Sequence, residues 1–139
     1  MTKILTIIFT AFLFGLSALA QTIENASRST VGYISSTGTV ENASRSTLGY
    51  INSSGTIENS SRRTIGYLND NGTVEDSTRK TIGYINSNGT VENSSRSTIG
   101  YVNSDGSVEN SSRRTIGYAK GVRIEHAALF FFFFFKPEN

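Results

Sequence analysis

The sequence predicts an all-β protein in which short hairpins are arranged in a ring. The first reason is a 17-residue repeat that starts at Thr22 and carries a Gly-Tyr pair in every copy. The second is that each copy contains two short stretches rich in β-branched and aromatic residues, separated by turn residues and without a helical period. The third is a run of six consecutive phenylalanines near the C-terminus, which has to be covered on all sides by other apolar groups.

Residues 1–20 have the pattern of a signal peptide. Lys3 supplies a positive charge, an apolar stretch follows, and Ala18-Leu19-Ala20 has the small-x-small pattern that signal peptidase reads. The apolar stretch is shorter than the about 20 residues of a membrane-spanning helix. We therefore expect an exported protein whose mature chain begins at Gln21, has no transmembrane span, and lies in the periplasm, at the cell surface or outside the cell.

Residues 21–139 are long enough for one domain. The five complete repeats are residues 22–38, 39–55, 56–72, 73–89 and 90–106, followed by a partial sixth at 107–121 and a C-terminal segment at 122–135. A repeat of this length cannot bury its own apolar face, so the units must pack on one another. The altered last unit favours closure into a ring of five or six hairpins, and a β-solenoid is the alternative.

The fourth repeat illustrates the strands and turns. Alternation places Ile82 and Tyr84 on one face of a strand, with Thr81, Gly83 and Ile85 on the other. The sequence "NSNG" that follows predicts a hairpin turn in which Gly has a positive φ, and "NSSR" in the next unit predicts an Asx-turn. A glycine before each tyrosine leaves room for the close approach of another backbone or ring.

The phenylalanine run, residues 130–135, is called the Phe segment below. Alternating apolar and charged residues at 122–125 predict an extended approach, and six extended residues span about 20 Å. We expect the segment to thread the ring or to cross its inner face, because burying six such side chains contributes on the order of 10 kcal/mol. Membrane insertion is the alternative, although the nine apolar residues at 127–135 are too few for a spanning helix. The predicted structural core residues are Phe130, Phe131, Phe132, Phe133, Phe134 and Phe135.

The sequence predicts no catalytic, cofactor-binding or metal-binding residues. His126 is the only histidine and no nucleophile stands near it, so we interpret it as a structural residue. Each repeat also has a glutamate four residues before an arginine, which predicts local ion pairs; a cation-binding ring of carboxylates is the alternative. One of the thirteen basic residues is Lys3, so twelve basic residues face eleven acidic ones after residue 20, and this balance argues against nucleic-acid binding.

The copies of "T-V/I-E-N-x-S-R-x-T-I-G-Y-I-N-x-x-G", together with the ending "HAALFFFFFF", resemble the bacterial 5-fold β-flower family. The resemblance covers residues 22–135, and the phenylalanine ending is its most specific part. It implies five β-hairpin petals about an axis, in exported proteins. It implies no established activity, so no functional residues carry over.

The sequence therefore predicts an exported, non-enzymatic protein with a structural or interaction role, an unknown partner and no cofactor. One alternative is a multivalent glycan-binding module whose ligand-binding residues are Tyr50, Tyr67, Tyr84 and Tyr101. Another is a protein that associates with a membrane or with an envelope protein through the Phe segment.

Overall fold

The structure, a computed structural model, describes residues 20–137. The signal-peptide prediction falls on residues outside this range, apart from Ala20. The described residues form one closed antiparallel sheet of twelve strands, in which each strand pairs with its neighbours in chain order and β1 pairs with β12. The strands are β1 (Gln21–Asn25), β2 (Thr30–Ile34), β3 (Thr39–Asn42), β4 (Thr47–Ile51), β5 (Thr56–Asn59), β6 (Thr64–Leu68), β7 (Thr73–Asp76), β8 (Thr81–Ile85), β9 (Thr90–Asn93), β10 (Thr98–Val102), β11 (Ser107–Asn110) and β12 (Thr115–Tyr118). The predicted all-β ring is confirmed, and closure excludes the solenoid.

Two kinds of turn connect the strands, and they lie at opposite ends of the ring because successive strands run antiparallel. Turns with the pattern Asn/Asp-x-x-Arg join β1 to β2, β3 to β4 and so on, which defines hairpins 1 to 6. Turns that end in glycine join each hairpin to the next. We call these the Arg turns and the Gly turns, and the two ends of the ring the Arg end and the Gly end.

Backbone geometry explains the residues in both turns. In a Gly turn, Gly89 has φ +90° and its N–H donates to the carbonyl of Asn86 over 2.9 Å. In an Arg turn, the Asn93 side-chain oxygen accepts hydrogen bonds from the N–H groups of Ser95 and Ser97, each at 3.0 Å, as expected for the predicted Asx-turn. The sequence did not predict that the arginine of each Arg turn also has a positive φ, between 64° and 70°.

Each hairpin contains a β-bulge that changes which side chains face inward. In hairpin 4, Val74 pairs with Gly83 but Glu75 pairs with Thr81, so Ile82 is an extra residue. Ile82 consequently packs against the core, on the side opposite to Tyr84. The predicted shared face of Ile82 and Tyr84 is therefore wrong, because strict alternation fails at the bulge.

The core is a narrow apolar interior shared by all the hairpins. Each odd-numbered strand contributes one side chain that is 0% exposed: Ile23, Val40, Ile57, Val74, Val91 and Val108. Most of the remaining inward side chains near the Gly turns are also buried, among them Ile34 and Ile51. The described closed sheet uses no residue before Gln21.

The C-terminal segment is helical, so the predicted extended conformation is wrong. Helix α1 covers Ile124–Ala128, and a π-helical segment follows at Leu129–Phe133, with the N–H of Phe134 donating to the carbonyl of Leu129 over 3.0 Å. A closed sheet has no free strand edge inside it, so an extended segment there would leave its backbone groups unpaired, whereas a helix pairs them internally. Among residues 20–137, no helix combines the length and the apolar character that crossing a membrane requires.

Candidate functional site

The C-terminal segment passes through the ring from one end to the other. Arg123, Glu125 and His126 line a cavity of about 570 Å³ together with three Gly turns. Lys136 and Pro137 line a second cavity, of about 660 Å³, together with residues of the Arg turns. The residues between these two groups, including the Phe segment, therefore lie along the inside of the ring.

The phenylalanines are buried to different extents. Phe130, Phe131 and Phe135 are 1%, 7% and 6% exposed, and Phe130 and Phe131 pack edge-to-face with centroids 5.4 Å apart. The other three, residues 132–134, are partly exposed and pack against the same core. Phe134 lines the cavity at the Arg end, so part of the aromatic surface faces that end of the ring.

Each phenylalanine ring lies against the glycine of a different hairpin. The glycines precede the repeated tyrosines, and a side chain added to any of them would collide with one particular ring. In chain order the pairs are Phe130 with Gly32, Phe131 with Gly117, Phe132 with Gly100, Phe133 with Gly83, Phe134 with Gly66 and Phe135 with Gly49. Successive phenylalanines therefore point to successive hairpins, and the run completes one circuit of the ring.

This one-to-one arrangement accounts for the π-helical geometry. Six hairpins divide 360° into steps of 60° per residue. An α-helix turns about 100° per residue, whereas the wider i→i+5 turn of a π-helix comes closer to the required step. The ring therefore favours a wide helical turn wherever consecutive side chains must reach consecutive hairpins.

Each of these glycines lies close to two groups, a backbone carbonyl of the next hairpin and a phenylalanine ring. The contact is possible because glycine has no side chain. At Gly83, an added Cβ would lie 2.5 Å from the carbonyl oxygen of Glu92 and 2.5 Å from Cε1 of Phe133. Any larger residue would have to displace the neighbouring strand and the aromatic ring together. The interpretation of these glycines as points of close approach is confirmed.

The outer surface carries a second repeated arrangement, which includes the tyrosines predicted to bind a ligand. The guanidinium carbon of Arg96 lies 3.6 Å from the ring centroid of Tyr84, a cation–π contact between hairpins 5 and 4. The same contact occurs between every pair of neighbouring hairpins at 3.5 or 3.6 Å: Arg28 with Tyr118, Arg45 with Tyr33, Arg62 with Tyr50, Arg79 with Tyr67 and Arg113 with Tyr101. One face of each half-buried tyrosine is thus covered by an arginine.

Each of these arginines also forms an ion pair with the glutamate four residues before it. Arg96 Nη1 lies 3.2 Å from Glu92 Oε1, and the side-chain amide of Asn86 donates to the same oxygen over 2.9 Å. The Asn86 hydrogen bond, and then that of Arg96, hold the pKa of Glu92 below its usual value. The pKa values of Glu58, Glu75 and Glu109 are lowered by the equivalent asparagine and arginine.

One part of this arrangement was predictable from the sequence, and two other parts were not. The predicted Glu–Arg pairs are present in all six hairpins, with N–O distances of 3.1 to 3.4 Å. The Asn–Glu hydrogen bond and the Arg–Tyr contact were missed, because both join residues that only strand register brings together. A fixed offset of twelve residues between Tyr84 and Arg96 was visible in the repeat, but it has no meaning without that register.

His126 lies at the Gly end of the ring, next to an ion pair between Arg123 and Glu125. Burial and the nearby Arg123 lower the pKa of His126, while Glu125 opposes that shift. Arg123 Nε and Glu125 Oε2 are 3.6 Å apart. Across residues 20–137, no three metal-ligating side chains come close enough together to hold a metal ion.

The closed ring, its repeated hairpins and its aromatic axis define a class of repeat protein in which a C-terminal segment completes the core. A sequence model of the family described as 5-fold beta-flower protein matches residues 20–135, and the chain belongs to this family. Comparison with curated proteins and with solved structures found no match. The family description is five-fold, whereas the described residues here form twelve strands that pair as six hairpins.

Proposed function

We propose that this protein is an exported, non-enzymatic structural or interaction protein, a ring of six hairpins held together by its own Phe segment. The observation that carries the proposal is the mutual engagement of the repeated polar side chains. In each hairpin, arginine covers a tyrosine of the neighbouring hairpin at 3.5 or 3.6 Å and is itself paired with a glutamate. The repeated residues thus serve the cohesion of the ring.

The same contacts disfavour the glycan-binding alternative. Sugar rings stack on exposed aromatic faces, and in this ring an arginine lies over one face of each tyrosine. The arginine is in turn restrained by Glu92 or its equivalent, which is only 15% to 28% exposed. A ligand that stacked on that face would have to break both a cation–π contact and an ion pair.

Changes at two neighbouring tyrosines test these alternatives. We expect Tyr84→Leu with Tyr101→Leu to lower the free energy of unfolding by about 1–2 kcal/mol, since two cation–π contacts worth about 0.5–1 kcal/mol each are lost. We expect no change in retention on a panel of immobilised polysaccharides. Tyr84→Phe with Tyr101→Phe is the matched control, because it keeps both rings. Retention of the original chain that disappears in a folded leucine variant would overturn the structural proposal.

Export is tested at the proposed cleavage site. In a Gram-negative host we expect the full chain to leave the cytoplasm and to acquire Gln21 as its first residue, as read by mass spectrometry of the intact protein. Ala18→Arg with Ala20→Arg removes the small residues that signal peptidase requires, so the precursor should accumulate. An unprocessed original chain in the cytoplasm would refute export.

A further inference from the structure

We propose that the Arg end of the ring is a docking face for an anionic lipid membrane. This inference rests on the proposed interaction role and names the partner. Three features of that end support it: an apolar surface, the positive charges around that surface, and a turn geometry that does not require those charges.

The Arg end exposes apolar side chains around the exit of the tail. The bulge residue of every hairpin is aliphatic and only partly buried. Three of these residues, Val31, Leu48 and Ile65, line the cavity of about 660 Å³ together with Phe134 and Phe135. The six bulge residues are Val31, Leu48, Ile65, Ile82, Ile99 and Ile116. The Gly end differs, because α1 and the fully buried Leu129 fill the interior there.

Uncompensated positive charge surrounds this apolar surface. The six turn arginines are each paired with a glutamate, so they add no net charge. Arg63, Lys80, Arg114 and Lys136 are exposed at the same end, where Asp76 is the one further acid among the described residues. Counted over the side chains of residues 20–137, these four cations and one anion give the Arg end a net charge of +3.

The Gly end has the opposite balance. The described side chains there include the acids Asp70, Asp105 and Glu125 and the bases Lys120 and Arg123, which sum to a net charge of −1. The ring is therefore polarised along its axis, with apolar and cationic groups together at one end. Partly exposed apolar side chains within a cationic rim are the combination that binds the surface of an anionic bilayer.

The turn itself does not require these cations. Ser29, Ser46 and Ser97 occupy the position in hairpins 1, 2 and 5 that Arg63, Lys80 and Arg114 occupy in hairpins 3, 4 and 6. In both cases it is a backbone N–H, not the side chain, that donates to the asparagine or aspartate of the turn; the bond is 3.0 Å in hairpins 1 and 3 alike. A serine at each of the three cationic positions should therefore leave the fold intact, which supplies a matched variant from within the chain.

The test is flotation of residues 21–139 with vesicles, since the described closed sheet lies within these residues. We expect the chain to float with vesicles of phosphatidylcholine and phosphatidylglycerol, and not with phosphatidylcholine alone. Arg63→Ser, Lys80→Ser and Arg114→Ser combined should weaken binding to the anionic vesicles by roughly a hundredfold, since each cation near such a surface contributes roughly fivefold. Lys120→Ser, at the Gly end, should change binding little.

Three results would overturn the docking proposal: no flotation with anionic vesicles, equal flotation of the triple-serine variant, or a stable dimer whose formation depends on the three cations and which binds no vesicles. Thermal unfolding of the triple-serine variant separates this failure from failure of the structural role. If the triple-serine variant has an unchanged melting temperature and unchanged vesicle binding, the docking proposal is wrong. The structural proposal is unaffected by that result, because it is tested separately with the Tyr84 and Tyr101 variants.

Discussion

Truncation after Ala128 will abolish folding of the ring. The truncation removes Leu129 and the whole Phe segment, although the repeats and α1 remain. Burial of six phenylalanines contributes on the order of 10 kcal/mol, and the net stability of a typical domain is about 5–15 kcal/mol. The hairpins cannot replace this contribution, because the glycine opposite each ring has no side chain to fill the vacated interior.

Circular dichroism and amide hydrogen exchange of the truncated chain provide the measurement. We expect no cooperative thermal transition and rapid exchange at all strand amides. A chain that ends after Pro137 is the control, since it retains every phenylalanine and should unfold cooperatively. Truncated hairpins that still form a protected, cooperatively unfolding sheet would show that the Phe segment is dispensable for the fold.

Much of this architecture follows from the repeat itself. Each 17-residue repeat contains two stretches rich in β-forming residues, one Asx-turn and one glycine turn. This pattern predicts a chain of consecutive β-hairpins. The altered last unit favours closure, and the glycine before each tyrosine indicates the close approach of another group. These features are local or periodic, so a single sequence displays them.

The missed features depend on the closed environment. The Val122–Glu125 alternation suggested an extended tail, but inside a closed sheet the absence of a pairing edge outweighs local alternation. The bulge at Ile82 reverses the face expected from strict alternation. The contact of Arg96 with Tyr84 depends on the register between two hairpins, which the residue types do not specify.

The positive φ of the arginine in each Arg turn could not be predicted from residue type. A left-handed backbone conformation costs a non-glycine residue about 1–2 kcal/mol. The cation–π contact contributes about 0.5–1 kcal/mol and an exposed ion pair about 0–1 kcal/mol. These contributions roughly balance, so arginine at this position confers little net stability over glycine. Its main effect is to join neighbouring hairpins and to compensate the partly buried glutamate.

Deletion of Phe133 will destabilise the ring far more than a conservative substitution at the same position. One deleted residue removes one ring and shifts the following residues by one hairpin, so Lys136 takes the place of Phe135 opposite Gly49. The lost aromatic side chain alone costs about 3–5 kcal/mol. Placing an ammonium group inside an apolar interior adds to this cost.

Phe133→Leu is the matched control, because it keeps the number of residues and therefore the pairing of every other ring with its glycine. We expect it to cost about 1–1.5 kcal/mol, as a near-conservative core substitution. Denaturant unfolding of both variants gives the comparison. If the deletion and the substitution cost the same, the Phe segment is a compressible apolar filling. If the deletion costs several kcal/mol more, the count of phenylalanines is matched to the count of hairpins, and a chain with another number of repeats would need another number of rings.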